Sequence, residues 1–149
     1  MTIDEEIKGR YRNDYHRGII NLNFTVNQLN YQFLQYLKMH KLTEPQYNIL
    51  RVLRGYKDDG PFSIGFLKER MLDRNSDVSR IVDKLFEKGL VDRKENATDR
   101  RQKEVEITEK GQAIIEKMTD CDIKADTLLQ NLNTEEIKEL NRLLDKIRG

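Results

Sequence analysis

Arginine supplies most of the chemistry this sequence can offer. Arg80 follows the short polar run Ser76, Asp77 and Ser79, and Arg100 and Arg101 stand side by side after Asp99. A guanidinium presents N–H donors in a planar fork that matches two phosphate oxygens or the O6/N7 edge of guanine. The makings of catalysis are thin by comparison. The chain has two His and one Cys, with no Gly-rich phosphate loop and no paired nucleophile and base, so neither an enzyme nor a cofactor is expected. His16, His40 and Cys121 lie far apart without ligand spacing, and Cys121 falls on an apolar helical stripe, so no metal site is expected either. A single Cys allows no intrachain disulfide and gives no reason to expect an oxidising compartment.

The arginines belong to two elements. Residues 76–88 read as one helix that buries Val78, Ile81, Val82, Leu85 and Phe86, which turns Ser76, Arg80, Asp83, Lys84 and Glu87 to the opposite side. Gly89 is a candidate C-cap. Residues 90–96 and 104–108 then read as strands, Val105 and Ile107 alternating with Glu104 and Glu106, and residues 96–103 form the connecting tip. A short helix sized for the DNA major groove beside a hairpin with paired arginines at its tip is the layout of a winged helix.

Further elements frame this unit. Tyr11, Tyr15, Ile19, Leu22, Val26, Leu29, Phe33 and Leu37 recur at spacings of three and four, predicting one helix over residues 5–39. Its stripe, widened by Ile20, Phe24, Tyr31 and Leu34, needs more than one packing partner. Thr43, Pro45 and Gln46 start a helix that carries Tyr47, Ile49, Leu50, Val52, Leu53 and Tyr56 inward, and Gly60-Pro61 marks a stop. Ser63 opens a short helix through Leu72, and Asp73-Arg74-Asn75 forms a turn. Thr108 caps a long helix bearing Ile114, Met118, Cys121, Ala125, Leu128 and Leu132. Asn133 starts a last helix with Ile137, Leu140, Leu143, Leu144 and Ile147 on its apolar side.

With 149 residues, the chain suits one domain plus an appended dimerisation element. Charged residues make up 36% and net charge is only +1, so bulk charge alone does not call for nucleic acid. Distribution says slightly more: residues 68–103 hold eleven Lys/Arg against eight Asp/Glu, whereas residues 104–149 hold seven against eleven. The middle of the chain is the part suited to a polyanion. No apolar run reaches membrane-span length, and Met1-Thr2-Ile3-Asp4-Glu5-Glu6 is too acidic to open a signal peptide; a cytoplasmic protein without membrane contact is expected.

Five fragments in order resemble the MarR family of bacterial winged-helix regulators. They are Leu42-Thr43-Glu44-Pro45-Gln46 with the apolar run to Leu50, Val78-Ser79-Arg80-Ile81-Val82-Asp83-Lys84-Leu85, Glu87-Lys88-Gly89-Leu90-Val91-Asp92-Arg93, Asp99-Arg100-Arg101, and Ile107-Thr108-Glu109-Lys110-Gly111. The resemblance implies a mainly α fold with a small β-wing, a winged helix-turn-helix whose N- and C-terminal helices form a dimerisation domain. It divides the chain at 1–41, 42–108 and 109–149. It implies a homodimeric transcriptional regulator, a repressor in the reading adopted, bound to double-stranded DNA at a pseudo-palindromic operator and released in many relatives by small aromatic ligands. The interface would include Tyr11 and Tyr15 from the first helix and Ile137, Leu140, Leu144 and Ile147 from the last. Peroxide-sensing relatives use a Cys in the first helix, and this chain has none there.

On that reading Ser76, Asp77, Ser79 and Arg80 approach base edges, because the helix N-terminus enters the groove first, and Lys84 lies nearer the phosphates. A plain solvated helix face is the alternative, and Asp83 and Glu87 on the same side speak for it. Two readings of Asp77 stay open, an acceptor for cytosine N4 or a first-turn carboxylate favoured by the helix dipole. The family pattern makes Arg101 a minor-groove reader braced by Asp99, with Arg100 on phosphate; a narrow minor groove concentrates the negative potential that draws a guanidinium in. Tyr11, Tyr15, Phe24 and Tyr47 are candidates either for a ligand pocket or for plain core. A rival reading, a winged-helix module that binds another protein, rests on the near-neutral net charge.

Overall fold

Helices in this chain begin where a short polar side chain can accept the first free amides. Asn13 accepts from His16 N–H at 2.9 Å, Ser63 from Phe66 N–H at 3.1 Å, Asp77 from Arg80 N–H at 3.2 Å and Thr108 from Gly111 N–H at 3.1 Å. Thr43 with Gln46, and Asn133 with Glu136, form reciprocal capping boxes. The computed structural model describes residues 1–119 and 126–149. Its elements are α1 (Ile3–Ile7), α2 (Asp14–Met39), α3 (Glu44–Gly55), β1 (Phe62–Ser63), α4 (Ile64–Glu69), α5 (Val78–Glu87), β2 (Val91–Glu95), β3 (Lys103–Ile107), α6 (Glu109–Lys117) and α7 (Thr134–Arg148).

The expected bounds of three helices need correction. The helix expected over residues 5–39 is two helices. Lys8 adopts a left-handed backbone (φ 54°) and ends α1, and Asn13 starts α2 afresh. The gap is bridged by Arg17, whose guanidinium lies 2.8 Å from the Asp4 carboxylate and holds that carboxyl below its ordinary range. The helix begun at Ser63 stops at Glu69 rather than Leu72, because Leu72 N–H turns away to Asn48 Oδ1 at 3.0 Å. The helix begun at Thr108 gives α6 only to Lys117, with Met118 buried at its C-cap; Leu128 lies in a turn and Leu132 N–H bonds Leu129 O, while Cys121 and Ala125 lie outside the described residues.

The sheet has the order β1-β3-β2 and is antiparallel throughout. Val91 faces Ile107 and Arg93 faces Val105 in the hairpin, and Phe62 faces Val105 from the other edge. The two-residue β1 was not expected, since a strand that short carries no period. Beneath the sheet, α3 (Ile49, Leu50, Leu53), α4 (Leu67) and α5 (Val82, Leu85) close a core with Val105, Ile115 and Met118, each of these side chains almost fully buried. Tyr47 is buried as well, edge-on to Phe33 at 5.6 Å between ring centres, which makes it core. Tyr56, expected inward, is 42% exposed at the end of α3. Among the described residues no helix is long and apolar enough to cross a membrane, and no group of His, Cys, Asp and Glu is placed to hold a metal ion.

The outer helices are built differently. Of α2 only Leu37 is buried, while Tyr15, Ile19, Val26 and Tyr31 are exposed; α7 buries no residue. A helix with an apolar side and nothing against it gains little from folding alone.

Gly111 marks the tightest join. A Cβ there would overlap the Leu90 carbonyl oxygen and approach Ile107 Cγ1 at 2.8 Å. Gly111→Ala should therefore lower stability by about 3 kcal/mol in chemical denaturation, as overpacking against backbone does. Gly65→Ala, whose Cβ would meet nothing nearer than Ser63 Oγ at 3.8 Å, should leave stability unchanged or raise it by up to about 1 kcal/mol.

Candidate nucleic-acid interface

The apolar ridge Val78, Val82 and Leu85 is 3%, 2% and 0% exposed, and its burial rolls α5 so that Ser79, Arg80, Asp83 and Lys84 face outward. Arg80 makes no ion pair and no side-chain hydrogen bond among the described residues, leaving its whole fork of donors for a ligand. Ser76 is half-buried in the turn ahead of the helix. Asp77 is the N-cap: its Oδ1 accepts from Arg80 N–H, so the first-turn reading of this carboxylate is the one the geometry favours. Lys84 is exposed and loosely paired with Glu87 at 3.7 Å, an arrangement worth well under about 1 kcal/mol in water.

Two residues near this face play parts the sequence did not suggest. Phe86 was expected in the core and is instead 41% exposed, its ring covered on one face by the Arg93 guanidinium, which reaches over from β2 to 4.4 Å from the ring centre. The same guanidinium pairs with Asp83. Asp83 thus serves to join α5 to the wing, and its charge is neutralised on the side that would face a polyanion. A helical wheel cannot reveal this, since the partner arrives from a strand ten residues on.

The wing tip is folded by its own side chains. Asn96 Oδ1 accepts from Thr98 N–H at 2.8 Å, Thr98 O–H at 2.7 Å and Asp99 N–H at 3.1 Å, while Asn96 Nδ2 donates to Glu104 at 2.8 Å. Asp99 accepts from the backbone N–H of Arg101 at 3.0 Å, so it braces that residue through its main chain rather than through the guanidinium. Arg100 and Arg101 are exposed, and neither has a carboxylate within ion-pair distance among the described residues. Arg101 and Lys103 from the wing, with Ser79 and Arg93, line one groove of about 420 Å³ between α5 and the hairpin. The structure thereby brings together the two clusters that lie some twenty residues apart in the chain.

A helix-turn-helix followed by a β-hairpin wing, with arginines on both that are unpaired among the described residues, defines a winged-helix DNA-binding protein. Comparison with known proteins agrees. A model of the MarR family matches residues 42–103. The chain is similar to the transcriptional regulator MhqR of Bacillus subtilis, 28% identical over 130 residues that make up 86% of this chain and 87% of that protein. In fold it is similar to BpsR of Bordetella bronchiseptica (TM-score 0.78, 24% identity, 95% of this chain and 99% of that one) and to MepR of S. aureus (TM-score 0.73, 23% identity, 85% and 90%). Residues 42–103 are a MarR-family domain, the winged-helix part of the chain.

The cap assignment of Asp77 can be separated from base contact. Asp77→Asn keeps an accepting oxygen and should leave both thermal stability and DNA affinity near wild type, whereas Asp77→Ala should cost about 1 kcal/mol of stability in thermal or urea melts. A large loss of DNA affinity in Asp77→Asn at unchanged stability would assign the carboxylate to a base instead.

Proposed function

We propose that the protein is a homodimeric repressor that reads a pseudo-palindromic operator with two copies of α5 and two wings. The observation that carries this is that Arg80 on α5 and Arg101 on the wing are both exposed and without an ion pair among the described residues, while Ser79 and Arg101 line one groove between the two elements. Ser76, Ser79 and Arg80 approach base edges at the helix N-terminus, Asp77 holds that end in shape, and Lys84 and Arg100 contact phosphates. Arg101 enters the minor groove. Residues 42–108 form the DNA-binding lobe, and residues 1–41 and 109–149 the dimerisation parts. MepR has been solved in complex with DNA, which supports the same mode here.

The dimer reading rests on what the outer helices leave uncovered. Ile137, Leu140 and Leu144 are only half-buried, Ile147 is 67% exposed and Tyr15 88% exposed in the single chain. Tyr11 is half-buried already, its hydroxyl donating to Ile3 O at 3.4 Å and its ring edge-on to His16. Burying such side chains contributes about 1.5–3 kcal/mol each, enough in sum to hold two chains together. Two lobes so joined can set their α5 helices in successive major grooves about 34 Å apart. Release follows if a small aromatic ligand binds the spread state more tightly than the DNA-ready one. DNA binding of BpsR is regulated by 6-hydroxynicotinic acid, a ligand of this class.

Salt dependence tests the DNA reading. On a duplex selected from a random pool, log K should fall by about 0.9 for each phosphate neutralised as log salt rises, and Arg80→Ala should lose about 1–3 kcal/mol on that duplex while losing less on random DNA. A flat salt response, or no retention of DNA at low salt, would leave a protein-binding module as the better description. For the dimer, Leu140→Asp with Leu144→Asp should shift sedimentation from two chains to one; an unchanged dimer would move the interface elsewhere.

A further inference from the structure

The elbow between α2 and α3 contains a left-handed residue that is not glycine. Lys41 has φ 55°, and α2 closes there with Lys41 N–H on Lys38 O at 3.1 Å and Leu42 N–H on Leu37 O at 3.2 Å. These two bonds are the ones that close a helix on a left-handed residue. The carbonyl of that residue is then taken up by a side chain from the recognition helix. Lys88, the C-cap of α5, places its Nζ 2.6 Å from the Lys41 carbonyl oxygen and 3.2 Å from Gln46 Oε1. Gln46 is buried and the same oxygen accepts from Thr43 N–H at 3.2 Å, so one ammonium ties the end of α2 to the capping box of α3. A cation at this point also suits the negative end of the 26-residue α2.

The other side of the same joint is tied in the same manner. Lys110 Nζ donates to Lys88 O at 2.9 Å, Thr108 O–H to Gly89 O at 2.7 Å and Thr108 N–H to Leu90 O at 3.1 Å. The carboxyl end of α5 therefore lies between the end of α2 and the start of α6. Arg80 stands about 12 Å away along the helix axis, at 1.5 Å per residue. A small turn of α2 at the elbow is thus delivered to one end of α5 and displaces the other.

We infer that Lys88 is a positioning residue for DNA recognition: its ammonium, bridging the Lys41 carbonyl and Gln46, transmits the orientation of α2 to the recognition helix and so sets the separation at which two half-sites are read. This rests on the dimeric DNA-binding reading above. Lys88→Met keeps the length of the side chain and removes the bridge; Lys88→Arg keeps a cation within reach. On the duplex selected by the wild-type dimer, Lys88→Met should bind about tenfold more weakly, the scale of a lost charge-assisted hydrogen bond, and should tolerate half-sites moved one base pair closer or farther. Its affinity for random duplex and its salt slope should stay at wild-type values, and Lys88→Arg should recover most of the loss. Without DNA, hydrogen exchange at the Leu42 and Thr43 amides should quicken in Lys88→Met. The inference is overturned if the salt slope drops by about 0.9 with equal loss on random duplex, which would make Lys88 a phosphate contact. It is overturned equally if spacing tolerance and elbow exchange are unchanged. Should the wild-type protein enrich no duplex at all, the DNA reading falls and this inference with it.

Discussion

The pose of α5 depends on which forces are large. Val78, Val82 and Leu85 are almost wholly removed from solvent, and a buried side chain of this kind contributes about 1.5–3 kcal/mol. The Asp83–Arg93 pair on the outer side is half-exposed, and pairs of that sort contribute about 1 kcal/mol or less. Burial therefore determines the roll of the helix and the ion pair only refines it. Rolling α5 by a single residue, about 100°, would bring Leu85 out of the core. Arg80 faces solvent because the alternative would expose the ridge.

The wing inherits its position from the same lobe by two routes. Arg93 ties β2 to α5 through Asp83 and Phe86. On the far edge β3 pairs with β1, and β1 is welded to α4 by the stacked rings of Phe62 and Phe66, 4.2 Å apart, with the Arg70 guanidinium 3.5 Å over Phe66. Helix and hairpin consequently form one surface, and the groove between them is a property of the lobe rather than of a flexible arm.

Features governed by neighbours a few residues away could be read from the chain. Thr43 with Gln46, Thr108 and Asn133 each announce a helix start, because capping is local chemistry, and Gly89 sits at φ 72° one residue past the Lys88 C-cap, where a left-handed residue ends a helix. The outward side of α5 was legible for the same reason: its ridge repeats at helical spacing. What escaped depends on distant partners or on backbone alone. Tyr11 keeps the apolar spacing of α2 yet lies ahead of that helix, in the break between the left-handed Lys8 and the N-cap Asn13. Phe86 looks like core until Arg93 covers it, and Met118 keeps the period of α6 while ending it. Lys88 resembles any surface lysine, since the carbonyl it grips lies 47 residues earlier.

The closed turn at residues 96–99 bears on thermodynamics rather than on contacts. Ordering one residue of a loose loop costs about 1–2 kcal/mol in lost backbone freedom. Here Asn96 and Asp99 have already met that cost within the free protein, through bonds that engage neither arginine side chain. On the proposed binding mode, insertion of the tip would immobilise little beyond the guanidiniums themselves, and the hairpin would select among grooves by its preformed shape instead of by folding upon arrival.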